Sequence, residues 1–482
     1  MKMVKSLILG SAAAIVAMSG AQAADLPVKA KAVEYVRICS LYGAGFYYIP
    51  GSDTCIQIGG YVQVTSVGNG GGIVAGAYSS TAGAQNRTTN DFYARSRQGI
   101  NLDTRTATEY GVVRTFSALT FSWTTGTDAV AGGSLGVYYA FIQFAGFTMG
   151  KAVSQFDVPW TNYPANIFDQ LVGGSGDVTG VNQFSYTAEF GNGVSGTVSV
   201  QDPSGGYYTT NIYNTAGLTA AGFATGAYGT ASLGGVKAPD VIGMVRVDQA
   251  WGLFQASLAA HDNSTLYYGA SEPTGHPGDK WGWAGQLGLS IKNIPTGPGD
   301  VINVTGAYSN GASRYVFQSL VPTSFAMYGG TSAVGAYQSL GIAGVTDAVF
   351  TSTGTGSDLE LTTAYGVRGG YTHNWSPYWN TTLYGAWSAM RYTTAAQGMI
   401  CATAVGFTCN PDFDIWQIGT QTQWTPVKGL TFTGLLTYTG LDQKYAGTIA
   451  LPASAAIAKP AAAYELKDQN NLMIGLRAQR NF

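Results

Sequence analysis

The sequence predicts an all-β fold: a transmembrane antiparallel β-barrel of about 16 strands, with long external loops and short periplasmic turns. Three observations predict it. Only 10% of the 482 residues are Asp, Glu, Lys or Arg, against roughly 25% in ordinary globular domains, while 67 are glycine and 30 tyrosine. Beyond the N-terminus no run approaches the ~18 apolar residues that a membrane helix needs. Segment after segment also alternates apolar and polar side chains with period two, as strands do when one face meets oil and the other water.

The first residues read as a targeting segment. Lys2 and Lys5 precede an apolar stretch from Leu7 to Ala17 that is too short to span a membrane, and Ala21-Gln22-Ala23 supplies the small residues of a cleavage site. Residues 1–23 are therefore expected to be a signal peptide, 24–53 an N-terminal segment on the periplasmic side, and 54–482 the barrel. Of 24 basic and 26 acidic side chains, cleavage removes Lys2 and Lys5, leaving a net charge of about −4, so nothing points to nucleic acid. Four cysteines remain: Cys39, Cys55, Cys401 and Cys409. An even count in an exported chain suggests two disulfides between sequence neighbours, although four cysteines permit three connectivities. Zinc is the rival reading, but there is no CxxC, and His261, His276 and His373 lie far from either pair.

The strands follow in order. Near 54–67, Ile56, Ile58, Val62 and Val64 oppose Gln57, Tyr61, Gln63 and Thr65. The next, near 91–104, sets Phe92, Ala94, Ile100 and Leu102 against Tyr93, Arg95, Arg97, Asn101 and Asp103. Further strands are expected near 109–123, 133–145 and 147–157. At 181–190 Phe184, Tyr186, Ala188 and Phe190 alternate with Gln183, Ser185, Thr187 and Glu189. Those near 194–201, 239–250 and 252–263 lead to 281–293, where Trp281, Trp283, Leu287, Leu289 and Ile291 oppose Gln286, Ser290 and Lys292. The rest are expected near 300–310, 360–374, 378–392, 412–425, 430–441 and 470–482. In the last, Leu472, Ile474, Leu476, Ala478 and Phe482 share one face, with Met473, Gly475, Arg477, Gln479 and Asn481 on the other. Short connections such as Gly191-Asn192-Gly193, Trp251-Gly252, Ser376-Pro377 and Pro426-Val427-Lys428-Gly429 take turns with long ones near 68–90, 158–180, 202–238, 312–358 and 444–467. Tight turns on one side and long loops on the other are the habit of outer-membrane barrels, and about 16 strands leave an aqueous lumen.

Aromatic residues are expected at the two membrane interfaces. Trp416 and Trp424 share the outward face of one strand and bracket Ile418; eight residues at ~3.3 Å each, tilted by ~45°, project to roughly 19 Å, somewhat inside the ~25 Å apolar band. Trp375 and Trp379 flank a short turn, Phe482 closes the same rim, and Trp281 opens another strand.

Function must then lie on the inward positions. Arg95 and Arg97 point into the same space, and Arg246 and Arg368 are inward by alternation; Arg114 joins them on a strand that alternates less cleanly. The segment VPWTNYPANIFDQLVGGSGDVTG is too long for a turn. It carries Asp169 and Asp177 and follows Asp157. Folded inward at about 157–180, it would narrow the bore and oppose carboxylates to guanidinium groups, a transverse field that orients solutes and selects ions. Catalysis has little support: His261 is inward with Gln255 and Ser257 but shows no companion acid or oxyanion donor. No catalytic residue, cofactor or metal is expected.

The stretch ADLPVKAKAVEYVRICSLYGAGFYYIPGSDTCIQIGGYVQV from Ala24 to Val64, together with ARSRQGINLDTRTATEYG and the terminal GLRAQRNF, resembles the alpha-proteobacterial porin family. The resemblance implies a homotrimeric, sixteen-stranded outer-membrane pore whose third external loop enters the lumen. It places Arg95 and Arg97 on the wall side of the constriction and the acidic residues between Asp157 and Asp177 on the loop side. The long insertions near 202–238 and 312–358 depart from the common pattern. The expectation is a passive, water-filled channel in the outer membrane of a Gram-negative bacterium. The second reading is a substrate-specific channel with a lumenal binding track, and a barrel hydrolase is third. Expected partners are outer-membrane lipid and lipopolysaccharide, and the barrel-assembly machinery during biogenesis.

Overall fold

Sixteen strands pair in chain order around one sheet, and the last returns to pair with the first. The computed structural model describes residues 37–126, 132–160, 171–176, 179–204, 208–209, 211–404 and 406–482; the expected signal peptide, 1–23, lies outside them. The strands are β1 (Cys55–Gly68), β2 (Phe92–Thr108), β3 (Gly111–Thr124), β4 (Ser134–Phe144), β5 (Phe147–Ala152), β6 (Val181–Gly191), β7 (Val194–Gln201) and β8 (Asp240–Gln249). Then come β9 (Gly252–Asn263), β10 (Lys280–Lys292), β11 (Val301–Asn310), β12 (Thr363–Ser376), β13 (Trp379–Arg391), β14 (Phe413–Val427), β15 (Leu430–Gln443) and β16 (Gln469–Asn481). Closure runs antiparallel from Tyr61 opposite Asn481 to Gly68 opposite Ile474. A closed ladder has no free edge, so the strands satisfy their backbone groups against one another rather than against water, which is the condition for crossing hydrocarbon on strands.

Period two puts opposite chemistry on the two faces. Ile58, Val62 and Val64 in β1, Leu287 in β10 and Leu472, Ile474 and Leu476 in β16 are exposed on the outside. Gln63, Thr65, Gln255, Gln286 and Thr305 face inward and are buried. Most short connections hold two residues, as at 109–110, 192–193 and 250–251. In the turn after β6, Asn192 and Gly193 both take positive φ, 50° and 72°, and a Cβ on Gly193 would collide with the Asp248 carbonyl. Glycine is required there. One expected strand end is corrected: β5 stops at Ala152 rather than near 157, because from Val153 the chain leaves the sheet for the inner wall.

The long connections fold as well. Ser324–Gly329, Gln338–Gly344, Ala462–Leu466, Ala446–Leu451 and Phe407–Thr408 make one small sheet from three different connections. Thr230–Ala231, Ile212–Asn214, Ala348–Phe350 and Glu360–Leu361 make a second from two. Phe223, Tyr228, Phe317, Phe325, Leu340, Tyr392, Phe413, Tyr445 and Tyr464 form a core between them that runs on to inward residues of the barrel, among them Ala364, Tyr384 and Met473. Burial pushes the Tyr228, Tyr392 and Tyr445 phenols up, so all stay neutral. Tyr445 donates to the Tyr228 hydroxyl at 3.0 Å and Tyr392 to the Gly344 carbonyl at 2.6 Å, so these buried hydroxyls are satisfied.

The N-terminal unit, described from Arg37, ends at Cys55. Cys39 and Cys55 are bonded and buried beside Phe46, with Tyr42 and Tyr48 packed around them. Cys401 is bonded to Cys409 within the connection 392–412. Of the three possible connectivities the structure takes the one between neighbours, which the Cα separations of 6.1 and 5.8 Å permit. Peptide mapping without reductant is expected to recover these two crosslinks, and free thiols at all four positions would contradict the pairing.

Candidate pore wall and its anchored loop

The described residues after β5, 153–160 and 171–176, lie along the inner wall, and the wall is built to receive them. A loop backbone inside a barrel must have its amides and carbonyls paired, and inward glutamines supply that, since a side-chain amide offers one donor and one acceptor group like a peptide. Gln255 Nε2 donates to the carbonyls of Phe156 and Asp157 at 3.3 and 3.0 Å. Gln286 Nε2 donates to the Phe156 carbonyl and its Oε1 accepts from the Ser175 amide, both at 3.0 Å. Gln417 Oε1 accepts from the Val172 amide at 3.0 Å, and Ser154 Oγ donates to Gln201 Oε1 at 2.7 Å. Arg368, 1% exposed, donates to the carbonyls of Leu171, at 3.2 Å, and Ser175. Gly173 makes the close approach possible: its φ is +88° and a Cβ there would strike the Val367 carbonyl.

A second layer locks this loop to its neighbours. Tyr208 donates to Asp157 Oδ1 at 2.9 Å, shares a 2.7 Å hydrogen bond with Ser175 Oγ, and stacks on Tyr315 with ring centroids 4.4 Å apart. Tyr315 donates to Asp240 Oδ2, and His261 Nδ1 lies 2.7 Å from Asp240 Oδ1. The expectation that His261 lacks a companion acid is therefore corrected. Its acid is Asp240, and with exposures of 1% and 0% the pair is part of a buried anchor.

The remaining wall is open. Inward side chains from β6 to β14, such as Ser185, Ser199, Ser257, Thr305 and Gln421, are buried. On β2 to β4 Arg95, Asp103, Thr120 and Ser122 are buried, but Arg97, Arg105, Arg114, Phe116, Tyr139, Phe141 and Gln143 stay half-buried. There Arg97 Nε donates to Ser122 Oγ at 2.8 Å, with the guanidinium 5.2 Å from the Tyr138 ring centre. Nearer the short-turn end, Arg105 and Arg114 both pair with Asp103, at 3.0 and 2.9 Å, and both arginine side chains are 29% exposed. Arg114 NH1 also donates to Gln143 Oε1 at 2.8 Å. From β16, Arg477 Nε reaches Thr65 Oγ1 at 3.0 Å. The accessible wall is thus predominantly cationic and lies on the β2–β4 side.

Several expected positions fall differently. Arg97 and Arg114 line the open wall, whereas Arg95 is 6% exposed and donates to Gln63 Oε1 at 3.2 Å. Arg246 is inward and grips Gln255 Oε1 at 3.0 and 2.8 Å. Arg368 and Asp157 do not line open water as expected: at 1% and 2% exposure Arg368 is covered by the loop whose carbonyls it holds, and Asp157, within that loop, accepts from the Tyr208 hydroxyl. Asp169 and Asp177 lie outside the described residues. Arg105 was missed, although it continues the parity of Arg95, Arg97 and Asp103 one step past the expected strand end. On the outside, Trp281, Trp375, Trp379, Trp424 and Phe482 are exposed, and Trp416 is half-buried beside Tyr438, 5.5 Å between ring centres. Trp379 and Trp424 stack at 5.6 Å at the short-turn end of β13 and β14.

A closed barrel with an apolar exterior, a polar interior and a loop bound along its inner wall defines an outer-membrane β-barrel protein. The chain matches the family model described as a porin subfamily over residues 25–475, and it belongs to that family. The porin Omp2b of Brucella abortus is 33% identical over 273 residues, a match covering 54% of this chain and 66% of that protein; the Omp2b porin of Brucella suis matches at the same identity and coverage. Among solved structures, the outer membrane protein OmpT of Vibrio cholerae aligns with a TM-score of 0.47 at 9% identity, over 89% of this chain and all of that one. An anion-selective porin from Comamonas acidovorans aligns with a TM-score of 0.44 at 12% identity, over the same shares.

Proposed function

We propose that the protein is a passive, water-filled channel through which small hydrophilic solutes and ions cross the outer membrane. The observation that carries this reading is the half-exposed arginine wall of β2–β4 inside a closed, externally apolar barrel. Such a wall has no role against lipid and a direct one against dissolved anions. The inner-wall loop is the constriction in this proposal, leaving the solute path against Arg97, Arg105 and Arg114. The solute gradient supplies the drive, and no cofactor takes part. Planar-bilayer recording of the purified protein tests it: open, ohmic steps that glucose leaves unaltered are expected, and absence of conductance would overturn the reading.

The protein is also proposed to be a homotrimer. Outward positions on β2 and β3 include Ser96, Gln98, Thr104, Thr115 and Ser117, polar side chains that suit a covering subunit better than acyl chains. A monomeric mass for the detergent-solubilised particle would contradict it. The exposed tryptophans and Phe482 are proposed to mark the two lipid interfaces. Lipopolysaccharide faces the long-loop side, and the barrel-assembly machinery inserts the chain after signal-peptide-directed export. Release of lipid-free protein into buffer without detergent would contradict this placement.

A further inference from the structure

The lower part of the open wall holds a feature that a simple water-filled bore does not require. Phe116, Tyr139 and Phe141 lie on the inward face of β3 and β4, opposite residues of the same parity as Asp103, Arg114 and Gln143, and all three rings are half-buried. Phe116 and Phe141 are 5.5 Å apart between ring centres, and Phe116 and Tyr139 6.4 Å. The Arg114 guanidinium lies 5.1 Å from the Phe116 ring centre and 5.6 Å from that of Phe141. Asp103 and Gln143 hold it there, and Asp103 also holds Arg105 at 3.1 and 3.0 Å. The cations and rings are therefore preorganised, which lowers the entropy cost of binding. Rings exposed to water gain most from a flat apolar surface, and paired guanidinium groups from a carboxylate.

We propose that Arg105, Arg114, Phe116 and Phe141 form a lumenal subsite for small carboxylates carrying a flat unsaturated ring. The proposal rests on the channel reading and names the solute class that the channel retains. The carboxylate lies against Arg105 and Arg114, and the ring covers Phe116 and Phe141. Neither half of the site suffices alone. A short aliphatic acid forgoes the rings, and an uncharged aromatic forgoes the arginines.

The experiment records the full-length protein in planar bilayers in KCl and adds benzoate, acetate or benzyl alcohol to the periplasmic side. Benzoate is expected to interrupt the current at concentrations where acetate and benzyl alcohol do not. The Phe116→Leu/Phe141→Leu double variant, which keeps apolar bulk and loses the ring faces, is expected to need about fivefold more benzoate for the same block. Equal block by acetate, or no difference between wild type and the double variant, would overturn the proposal while leaving the channel intact. Absence of KCl conductance in the wild type would overturn the channel reading and this inference with it. The comparison of three probes on the wild type stands even if the double variant fails to fold.

Discussion

Replacing Arg368 with methionine is expected to free the inner-wall loop, raising single-channel conductance and lowering the unfolding temperature together. Arg368 is 1% exposed, and its guanidinium donates to the carbonyls of Leu171 and Ser175. Methionine has similar reach and no donor, so both carbonyls lose a partner inside the barrel. An unsatisfied buried acceptor costs about 1–3 kcal/mol, so the pair amounts to about 3 kcal/mol against the bound loop. The remaining tethers, Gln255, Gln286 and Gln417, hold other points of the segment, which makes local release the expected outcome rather than global unfolding. Gly173→Val reaches the same end by a different route, since any Cβ there meets the Val367 carbonyl. Unchanged conductance and unchanged melting in both variants would show that the loop does not restrict the bore.

Arg97→Gln is expected to move the reversal potential in a KCl gradient toward cations. A unit charge at about 4 Å from a passing ion is worth about 1 kcal/mol in water, and salt screens it with a length of about 10 Å at 0.1 M. A fall of about two- to fivefold in the anion-to-cation permeability ratio follows. Arg95→Gln is expected to do less, although it is only two residues away, because that side chain is 6% exposed and its guanidinium is turned to Gln63 rather than to the open bore. Equal shifts from the two variants, or none from Arg97→Gln, would remove the assignment of the open wall to β2–β4. KCl conductance is expected to persist in an Arg95→Gln/Arg97→Gln double variant, which separates selectivity from folding.

The barrel was legible because each strand meets two immiscible surroundings. Ile58, Val62 and Val64 against Gln63 and Thr65, or Leu472, Ile474 and Leu476 against Arg477, state their sides at period two with no help from the rest of the chain. The inward arginines followed from the same parity, and Arg105 could have been found by extending it by one step. Phe116 shares the parity of Arg114 two residues before it and was within reach of the same step, but Phe141 was not. An aromatic residue on a barrel strand reads as lipid-facing, and the pairing of Phe141 with Phe116 across β3 and β4 is what identifies it as inward. The folded connections were equally hidden. Strands as short as Ala348–Phe350 carry no readable period, and Ala348–Phe350 pairs with Ile212–Asn214, a stretch far away in the chain.

What the sequence determined by itself was the class of structure: low charge, period-two amphipathicity and alternating connection lengths permit a closed barrel between oil and water. Tertiary structure decided which inward charges stay wet. Parity reports only the side of the sheet on which a group lies, whereas exposure depends on what else occupies that side. Arg368 and Arg97 have the same inward parity, yet one, on β12, is buried under a loop that leaves the sheet seven strands earlier at β5, and the other faces the open bore. The physical reason is that a loop backbone enclosed in a barrel must satisfy its own amides and carbonyls, and it takes those partners from the wall it covers.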